Sequence, residues 1–341
     1  MRRQGLVVAA VLLAVLVALV AFPLRWWLFP VPHLEAAAGP PPFEQLRPTW
    51  AQDGTVHYGS RSFETGVGVI AGLDVSPYGM FLQTTPVRSA AAEVHTDFSD
   101  GRTTQRVPGT PSSVHVSVDG RYAAWIDTDG PRRFFGRIAQ VVVLDLRTGR
   151  TVFHDSRGNG DVFERNPSDR YEETPPLVLG FDDAHVYWSD AEDRTYRWNL
   201  TGGSRERVRR TDVHLADPVL GTQVTLRHGR VSDGGGGHLA VLAPDGRSAV
   251  EQVSSRLRLT DVRTGRRVPL RGLDRHTLLG AWLADSSFYA LTDAVDPGAP
   301  DRVARRAPGR IVRCRTADGV CTTVARVTGA RFVVLPTVTA Y

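Results

Sequence analysis

The sequence contains no lysine, so all 41 of its basic residues are arginine. Isoleucine and asparagine are also scarce, and this bias extends along the whole chain. We therefore ascribe it to a GC-rich genome rather than to arginines selected for anion recognition at one site. The formal net charge is only +5. Such a small excess argues against nucleic acid as a partner.

The sequence also lacks the short motifs of two common enzyme classes. Neither the G-x-S-x-G motif of serine hydrolases nor the H-E-x-x-H motif of zinc proteases occurs. Residues Gly66–Ala71 have a glycine spacing like that of a dinucleotide fingerprint, but they enter a strand rather than a helix, so no cofactor is predicted. Residues Asp127–Gly130 resemble part of a calcium loop without its remaining ligands, so no metal site is predicted. No catalytic residue is predicted either. A serine–histidine–aspartate triad assembled from distant segments stays open.

One long apolar run lies near the N terminus. Residues 5–24 carry no charge, and at ~1.5 Å per residue they cover the ~30 Å hydrocarbon layer as a transmembrane helix. Trp26 and Trp27 follow, as in an interfacial aromatic belt. Arg2 and Arg3 precede the run, which predicts a cytoplasmic N-terminus at 1–4 and an extracytoplasmic chain beyond it. The protein is therefore expected to cross the cell membrane once.

A cleaved signal peptide is the alternative to this anchor. Such peptides have shorter apolar regions with a cleavage site close behind, whereas the best small-x-small site here, Ala36–Ala38, lies well beyond the run. The uncleaved anchor is favoured. Residues 25–53 are proline-rich and predict a semi-rigid linker between the membrane and a domain at 54–341.

Beyond Gly54, alternating apolar runs and Gly/Asp turns predict β-strands rather than helices. Five units share one pattern of four strands, in which tight turns follow the first and third strands. Residues 145–150 (DLRTGR) and 261–266 (DVRTGR) differ at a single position. Small antiparallel sheets with two apolar faces must stack on neighbours to bury them. Four-stranded units at roughly 50-residue intervals therefore predict an all-β chain folded as a β-propeller.

The turns at Pro244–Arg247 and Asp119–Arg121, with the Thr-Gly turns at 148–149 and 264–265, resemble those of bacterial TolB-type and WD-repeat-like β-propellers. The resemblance covers roughly residues 54–335 and implies the propeller fold. The whole layout also resembles uncharacterised membrane-anchored propeller proteins of actinobacteria. That second likeness implies no activity.

Six or seven blades are predicted, and seven are favoured. The segment His214–Gly237 is counted as a degraded blade because it has one clear strand and a Gly-rich loop. The hairpin at 55–66 lacks two strands of its own, and a terminal strand at 331–336 is unpaired. Pairing the two ends of the domain would close the ring and remove its open edge.

Cys314 and Cys321 are the two cysteines of the chain. A four-residue hairpin loop at Thr316–Gly319 would place them directly opposite each other, close enough for a disulfide. Two reduced core cysteines and a metal-binding pair are the alternatives. A metal needs further ligands, and no histidine lies nearby in sequence. The extracytoplasmic location favours the disulfide.

The predicted function is that of a binding or scaffold module for a protein or a cell-envelope ligand. The rival is a glycan-active hydrolase or lyase that uses the central pocket, which requires convergent carboxylates or a nucleophile–base pair. The irregular segments 155–176 and 214–237 are predicted to carry the function, because long loops on a rigid scaffold often do. The arginine-rich stretches 205–210 and 302–315 are expected to be solvated outer strands, with an anionic envelope polymer as the alternative partner.

Overall fold

A computed structural model describes part of the 341-residue chain. The described residues are 34–35, 43, 47, 49–66, 68–85, 95–107, 114–128, 132–133, 136–159, 174–213, 215–217, 221–232, 238–243, 245–253, 256–273, 277–283, 286–292, 309–327 and 333–336. They form β-strands and a single 3₁₀ turn at Arg210–Asp212. None of their helical structure is long and apolar enough to cross a membrane. The predicted anchor at 5–24 and the predicted cytoplasmic residues 1–4 lie outside the described residues.

The strands form a β-propeller of six four-stranded antiparallel blades. Blade 1 contains β1 (Thr49–Gln52), β2 (Thr55–Tyr58) and β3 (Arg61–Glu64), and blade 2 contains β4 (Val69–Ser76), β5 (Gly79–Thr85), β6 (His95–Ser99) and β7 (Thr104–Arg106). Blade 3 contains β8 (His115–Val116), β9 (Tyr122–Asp127), β12 (Gln140–Asp145) and β13 (Arg150–Asp155). The hairpin of β10 (Arg132–Arg133) and β11 (Gly136–Arg137) is inserted between β9 and β12.

The remaining strands complete the ring. Blade 4 contains β14 (Leu177–Phe181), β15 (His185–Ser189), β16 (Thr195–Asn199) and β17 (Glu206–Arg207), and it is followed by the connecting strands β18 (Ala216–Asp217), β19 (Gly221–Arg227) and β20 (Arg230–Ser232). Blade 5 contains β21 (His238–Leu242), β22 (Ser248–Val253), β23 (Arg256–Asp261) and β24 (Arg266–Val268). Blade 6 contains β25 (Thr277–Trp282), β26 (Phe288–Thr292), β27 (Gly309–Cys314) and β28 (Cys321–Val327), and β29 (Val333–Val334) returns to blade 1.

The tight turns of the blades are set by local side-chain hydrogen bonds. Asp145 Oδ1 accepts the N–H of Arg147 at 2.9 Å, and Asp261 Oδ1 accepts the N–H of Arg263 at 3.0 Å. In both copies the glycine N–H of the turn then donates to the carbonyl oxygen of the same aspartate. Aspartate favours such turns because its short carboxylate reaches the backbone two residues on. The near-identical sequences therefore fold into the same turn.

Apolar side chains fill the spaces between neighbouring blades. Trp125 packs with Phe81 and Leu144 between blades 2 and 3, and Trp188 packs with Val141 between blades 3 and 4. Trp125, Trp188 and Trp282 are all fully buried. Radial stacking buries both faces of each small sheet, which is the physical reason for the ring.

Strands from the two ends of the domain close the ring. Ala51 in β1 pairs with Val334 in β29, and Gln52 pairs with Val333. The C-terminal strand thus supplies the innermost strand of blade 1 and closes the ring as predicted, but its partner is β1 rather than the hairpin at 55–66. Strand β1 itself comes from within the segment 25–53 that the sequence assigned to a linker.

The favoured count of seven blades is wrong, because the segment 214–237 does not form a blade. Strand β18 pairs with β14 of blade 4, and β19 pairs along its length with β21 of blade 5. The added strands extend the blade 5 sheet and join it to blade 4, and β20 pairs with β19 beside this path. Strands β18 and β19 pair with strands of blades 4 and 5, so they form no separate four-stranded sheet.

The two faces of the ring differ in the length of their connections. Because the strands of a blade alternate in direction, the turns after its first and third strands share one face, here named the turn face. The second-to-third connections and the links between blades share the opposite face, here named the loop face. Short turns such as 77–78 and 146–149 occupy the turn face. The longest segments between blade strands, 128–139, 156–176, 208–237 and 293–308, all start and end on the loop face.

Described residues of the predicted linker pack on the turn face. Leu34 is buried between blades 2 and 3, and its N–H donates to Gly149 O at 3.0 Å. Phe43 is buried between blades 1 and 2, where its N–H donates to Pro77 O at 3.1 Å and its ring contacts Tyr58 edge-on. We name the described residues 34, 35, 43 and 47 the N-terminal strap.

Candidate functional site on the loop face

A buried ionic cluster lies where blades 3 and 4 meet on the loop face. Asp155 ends β13, and Asp190 follows β15. Arg205 bridges them, with Nη1 3.2 Å from Asp155 Oδ2 and Nη2 3.8 Å from Asp190 Oδ2. The guanidinium also stacks on the Tyr196 ring, 3.4 Å from its centroid. The side chains of Arg205, Asp155 and Asp190 are only 11%, 6% and 0% exposed.

Two further arginines complete the cluster. Arg157 binds both oxygens of Asp155, with its Nε 2.9 Å from Oδ1 and its Nη2 2.9 Å from Oδ2. Arg194 Nε donates to Asp190 Oδ2 at 2.9 Å. Burial alone would raise the pKa of Asp155. Hydrogen bonds from Arg157 and the charges of Arg205 and Arg157 outweigh it and hold that pKa below its ordinary value.

This cluster does not provide the general acid that a glycan hydrolase requires. A glycosidase requires a carboxyl group that keeps its proton near neutral pH, which follows from a raised pKa. Asp155 has the opposite shift, and Asp190 is bound by two arginines. Arg205 of blade 4 thus binds a buried carboxylate of blade 3 as well as one of its own blade. The cluster therefore clamps blade 3 to blade 4.

The clamp also fixes the beginning of the long segment 156–176. The Asn159 side chain is fully buried and donates through Nδ2 to Ala139 O at 3.0 Å. A Cβ on Gly158 would lie 2.2 Å from Asp190 Oδ2, so only glycine fits there. Residues 160–173, in the middle of the predicted functional segment, lie outside the described residues. The segment thus starts from a rigid, tightly packed base.

A second polar network on blade 4 contains an aspartate–histidine pair. His185 Nδ1 lies 3.2 Å from Asp182 Oδ1, and the Tyr187 hydroxyl donates to Asp182 Oδ2 at 2.5 Å. Burial and the hydrogen bond to Asp182 raise the pKa of Tyr187 to about 12. His185 Nε2 faces the Asn199 amide at 3.5 Å, where a catalytic triad would present a serine hydroxyl. This pair caps the turn that begins at Asp182, since Asp182 Oδ1 also accepts two backbone N–H groups.

His115 lies on β8, the innermost strand of blade 3, close to Gly180 on the innermost strand of blade 4. Burial lowers its pKa to about 4, so the imidazole is neutral at physiological pH. Its Nε2 is buried without a hydrogen-bond partner within the described part of the chain. No group of three or more potential metal ligands occurs in that part of the chain either.

The two cysteines lie on blade 6, away from this cluster. The register of β27 and β28 places Cys314 directly opposite Cys321, and their sulfur atoms are bonded at 2.10 Å. The hairpin between them is closed by hydrogen bonds between Arg315 and Val320 and between Arg315 and Gly319. The bond joins two strands of one blade at its turn-face end.

The sequence did not identify Arg205 as a buried residue. It belongs to the arginine-rich stretch 205–210, which was expected to be solvated, and its partner Asp155 is fifty positions earlier in the chain. By contrast Arg210 matches that expectation, since its pair with Asp193 is exposed on both sides. Of the other stretch, residues 302–308 lie outside the described residues.

No protein-family model matches the sequence, and no curated protein matches it. Three solved structures resemble the fold at low similarity. A candidate TolB from Agrobacterium tumefaciens is 12% identical, with 83% of this chain and 89% of that chain covered and a TM-score of 0.37. The computationally designed Ika8 protein is 12% identical over 88% and 90%, with a TM-score of 0.40. BamB from Moraxella catarrhalis is 15% identical over 87% and 91%, with a TM-score of 0.30.

Proposed function

We propose that this protein is a β-propeller anchored in the cell membrane by residues 5–24, with its propeller outside the cytoplasm. It acts as a binding or scaffold module, and its loop face holds a partner protein or a cell-envelope ligand. The sequence resemblance to membrane-anchored propellers of actinobacteria supports the proposed anchor only, since it implies no activity.

The difference between the two faces of the ring carries the proposal. The turn face has connections of a few residues, whereas the loop face receives the long segments 128–139, 156–176 and 293–308. Scaffolds commonly carry recognition on the loops of one face, because rigid strands hold variable segments in place. The clamp of Arg205 with Asp155 and Asp190 provides such a rigid base.

The composition of these segments fits a protein partner best. Segment 128–139 contains three arginines and two phenylalanines, and segment 156–176 contains three arginines with Phe163 and Tyr171. Arginine and aromatic residues are enriched at protein interfaces. The acidic residues of segment 156–176 add the opposite charge, which favours a specific partner over a uniform polyanion.

The test replaces residues 160–173 by a short Gly-Ser linker in the full-length anchored protein, which leaves the buried base at 156–159 intact. Chemical crosslinking in the native envelope is then followed by affinity purification. Loss of a partner captured by the unmodified protein is expected. The matched control, Arg263→Ser on the turn face, should capture it unchanged. Equal capture by both variants, with equal urea midpoints, would place the binding surface elsewhere.

The location has its own test. Protease added to intact cells should degrade the chain beyond about residue 50, whereas permeabilised cells are needed to reach the N-terminus. Full protection of the propeller in intact cells would refute the proposed topology.

A further inference from the structure

The N-terminal strap determines where the chain leaves the propeller toward its N terminus. Leu34 is 5% exposed and inserts between blades 2 and 3. Next to it, Glu35 N–H donates to Gln105 Oε1 at 3.0 Å, and Gln105 Nε2 donates back to Glu35 O at 2.9 Å. With the backbone bond from Leu34 N–H to Gly149 O, three hydrogen bonds hold the backbone of residues 34 and 35 on the ring. The strap is therefore part of the propeller surface rather than a free stalk at residue 34.

The connection from this fixed point to the apolar run is short. Residues 25–33 separate Leu24, the last residue of the run, from Leu34. A fully extended chain covers at most ~3.6 Å per residue, so these residues reach about 35 Å. The exit point lies at the turn face of blades 2 and 3. A membrane-spanning segment at 5–24 would hold this part of the ring near the bilayer and the loop face farther away.

The charges at the exit point suit an anionic surface. Arg102, Arg147 and Arg150 are exposed on the turns of blades 2 and 3. The carboxylates of Asp100 and Asp145 are hydrogen-bonded within the protein, whereas Glu35 is exposed. Asp100 Oδ1 accepts the N–H groups of Arg102 and Thr103, and Asp145 binds the Arg121 guanidinium at 2.7 Å. Exposed arginines close to a membrane are attracted to anionic headgroups.

We propose that the turn face of blades 2 and 3 lies against the membrane surface, where Arg102, Arg147 and Arg150 bind anionic lipid headgroups. The inference rests on the proposed membrane anchor. It assigns the two faces different roles, since the turn face contacts lipid and the loop face is directed outward to its partner.

Two threonines of blade 3 form a matched pair of probe sites. Thr148 lies in the turn after β12, and Thr128 follows β9 at the other end of the same two strands. Both are exposed. Five residues at ~3.4 Å separate the two ends of β12, so the probes differ in height by about 17 Å. Cys314 and Cys321 are bonded to each other and leave no competing thiol.

The experiment labels Thr148→Cys and Thr128→Cys in the full-length protein with a fluorophore. Each is inserted into nanodiscs of phosphatidylcholine and phosphatidylglycerol that contain a nitroxide quencher on the headgroup. Severalfold stronger quenching at position 148 than at position 128 is expected. Equal quenching in loaded nanodiscs would overturn the proposed orientation and leave the anchor intact. Failure of the full-length chain to enter nanodiscs would overturn the anchor and, with it, the orientation.

A second arm tests the arginines. With a fluorophore at Thr103→Cys, the double variant Arg147→Ser/Arg150→Ser should lose much of its headgroup quenching in nanodiscs with phosphatidylglycerol. The control is Arg263→Ser/Arg266→Ser, which alters the same positions of the repeat in blade 5. It should keep the original quenching. An equal loss in both variants, or no loss in either, would show that headgroups are not bound by the arginines of blade 3.

Discussion

The ring of Phe43 packs on the backbone of Gly101, so closely that a Cβ on Gly101 would lie 2.9 Å from Phe43 Cζ. Gly101 belongs to the turn between β6 and β7 of blade 2, and its φ of +83° is one that L-residues rarely adopt. The glycine thus serves both the turn and the strap that crosses it. Phe43, which comes from the segment predicted to be a linker, thus packs on a glycine of the propeller.

Replacing Gly101 tests its contact with Phe43 directly. Gly101→Ala should destabilise the protein by about 2–5 kcal/mol, because backbone strain of ~1–2 kcal/mol adds to overpacking against Phe43 of ~1–3 kcal/mol. Gly246→Ala is the matched control, since Gly246 also has a positive φ and its Cβ would meet nothing within 4 Å. Urea unfolding of the full chain in detergent measures both. Equal losses would argue against contact with Phe43.

Leu34 tests the other end of the strap. Leu34→Ala should cost about 2–4 kcal/mol, because it leaves a cavity among the side chains between blades 2 and 3. Val152→Ala on β13 is the control, since Val152 is 43% exposed and its truncation should change stability by less than ~0.5 kcal/mol. If residue 34 belonged to a free stalk, the two substitutions would have similar effects on the urea midpoint.

The ionic clamp predicts an asymmetry between two arginines that are close in sequence. Arg205→Leu leaves Asp155 and Asp190 buried with fewer positive neighbours, so a loss of about 3–5 kcal/mol is expected. Arg210→Leu removes an exposed pair with Asp193 and should cost less than ~1 kcal/mol. Chemical denaturation at pH 7 compares them, and a neutral Arg205→Leu would contradict the clamp.

The clamp also has a defined pH dependence. The pKa of Asp155 is lowered in the folded state, so its stabilising contribution is present above its unfolded pKa, near ~3.9, and is lost as the pH falls through the lower folded value. The loss of stability below pH ~4 should therefore be smaller in Asp155→Asn than in the unmodified protein. Denaturation midpoints between pH 5 and 2.5 measure this difference. Parallel curves would contradict the lowered pKa.

His115 predicts a loss of stability in a higher pH window. Burial lowers its folded pKa to about 4, from the ordinary histidine value of 6.5. Between these values the unfolded chain binds a proton that the folded chain does not, so stability falls as the pH drops from ~6.5 to ~4, by up to about 3 kcal/mol. His115→Gln should flatten the stability curve in that window. If the slope of stability against pH were unchanged in this variant, the loss of stability in that window would come from other titrating groups.

The bonded cysteines of blade 6 predict a response to reductant. The closed loop is short, so the chain-entropy estimate of its stabilisation is about 2–3 kcal/mol. Cys314→Ser/Cys321→Ser should lower the urea midpoint, and a reductant should lower that of the unmodified protein but not that of the variant. Free thiols found by alkylation of the unreduced native protein would contradict the bond.

Features that depend on a few consecutive residues could be predicted from the sequence. The aspartate-initiated turns at 145–149 and 261–265 are examples, since every hydrogen bond that forms them lies within five residues. The four-stranded unit follows from such turns and from the alternation of apolar residues. Neither end of the domain has enough strands for a complete blade, which indicated that the two ends would pair. In the structure Ala51 pairs with Val334.

The candidate site could not be predicted in the same way. Arg205 meets Asp155 from fifty positions away, and nothing near either residue distinguishes it from exposed charges in an arginine-rich chain. The strap is similar, since Phe43 and Gly101 are brought together only by the stacking of blades 1 and 2. Burial of a charge or a linker depends on neighbours that only the packed ring supplies.

The sequence by itself determined the repeat unit, the all-β class and the turns, because these follow from local hydrogen bonding and from the period of apolar residues. The tertiary structure decided that the ring has six blades, because β18 and β19 pair with the edges of existing sheets. It also decided where Leu34 and Phe43 pack and how the long connections are distributed between the two faces. Both depend on contacts between residues that are distant in sequence, and their free energy is gained only once the blades are stacked.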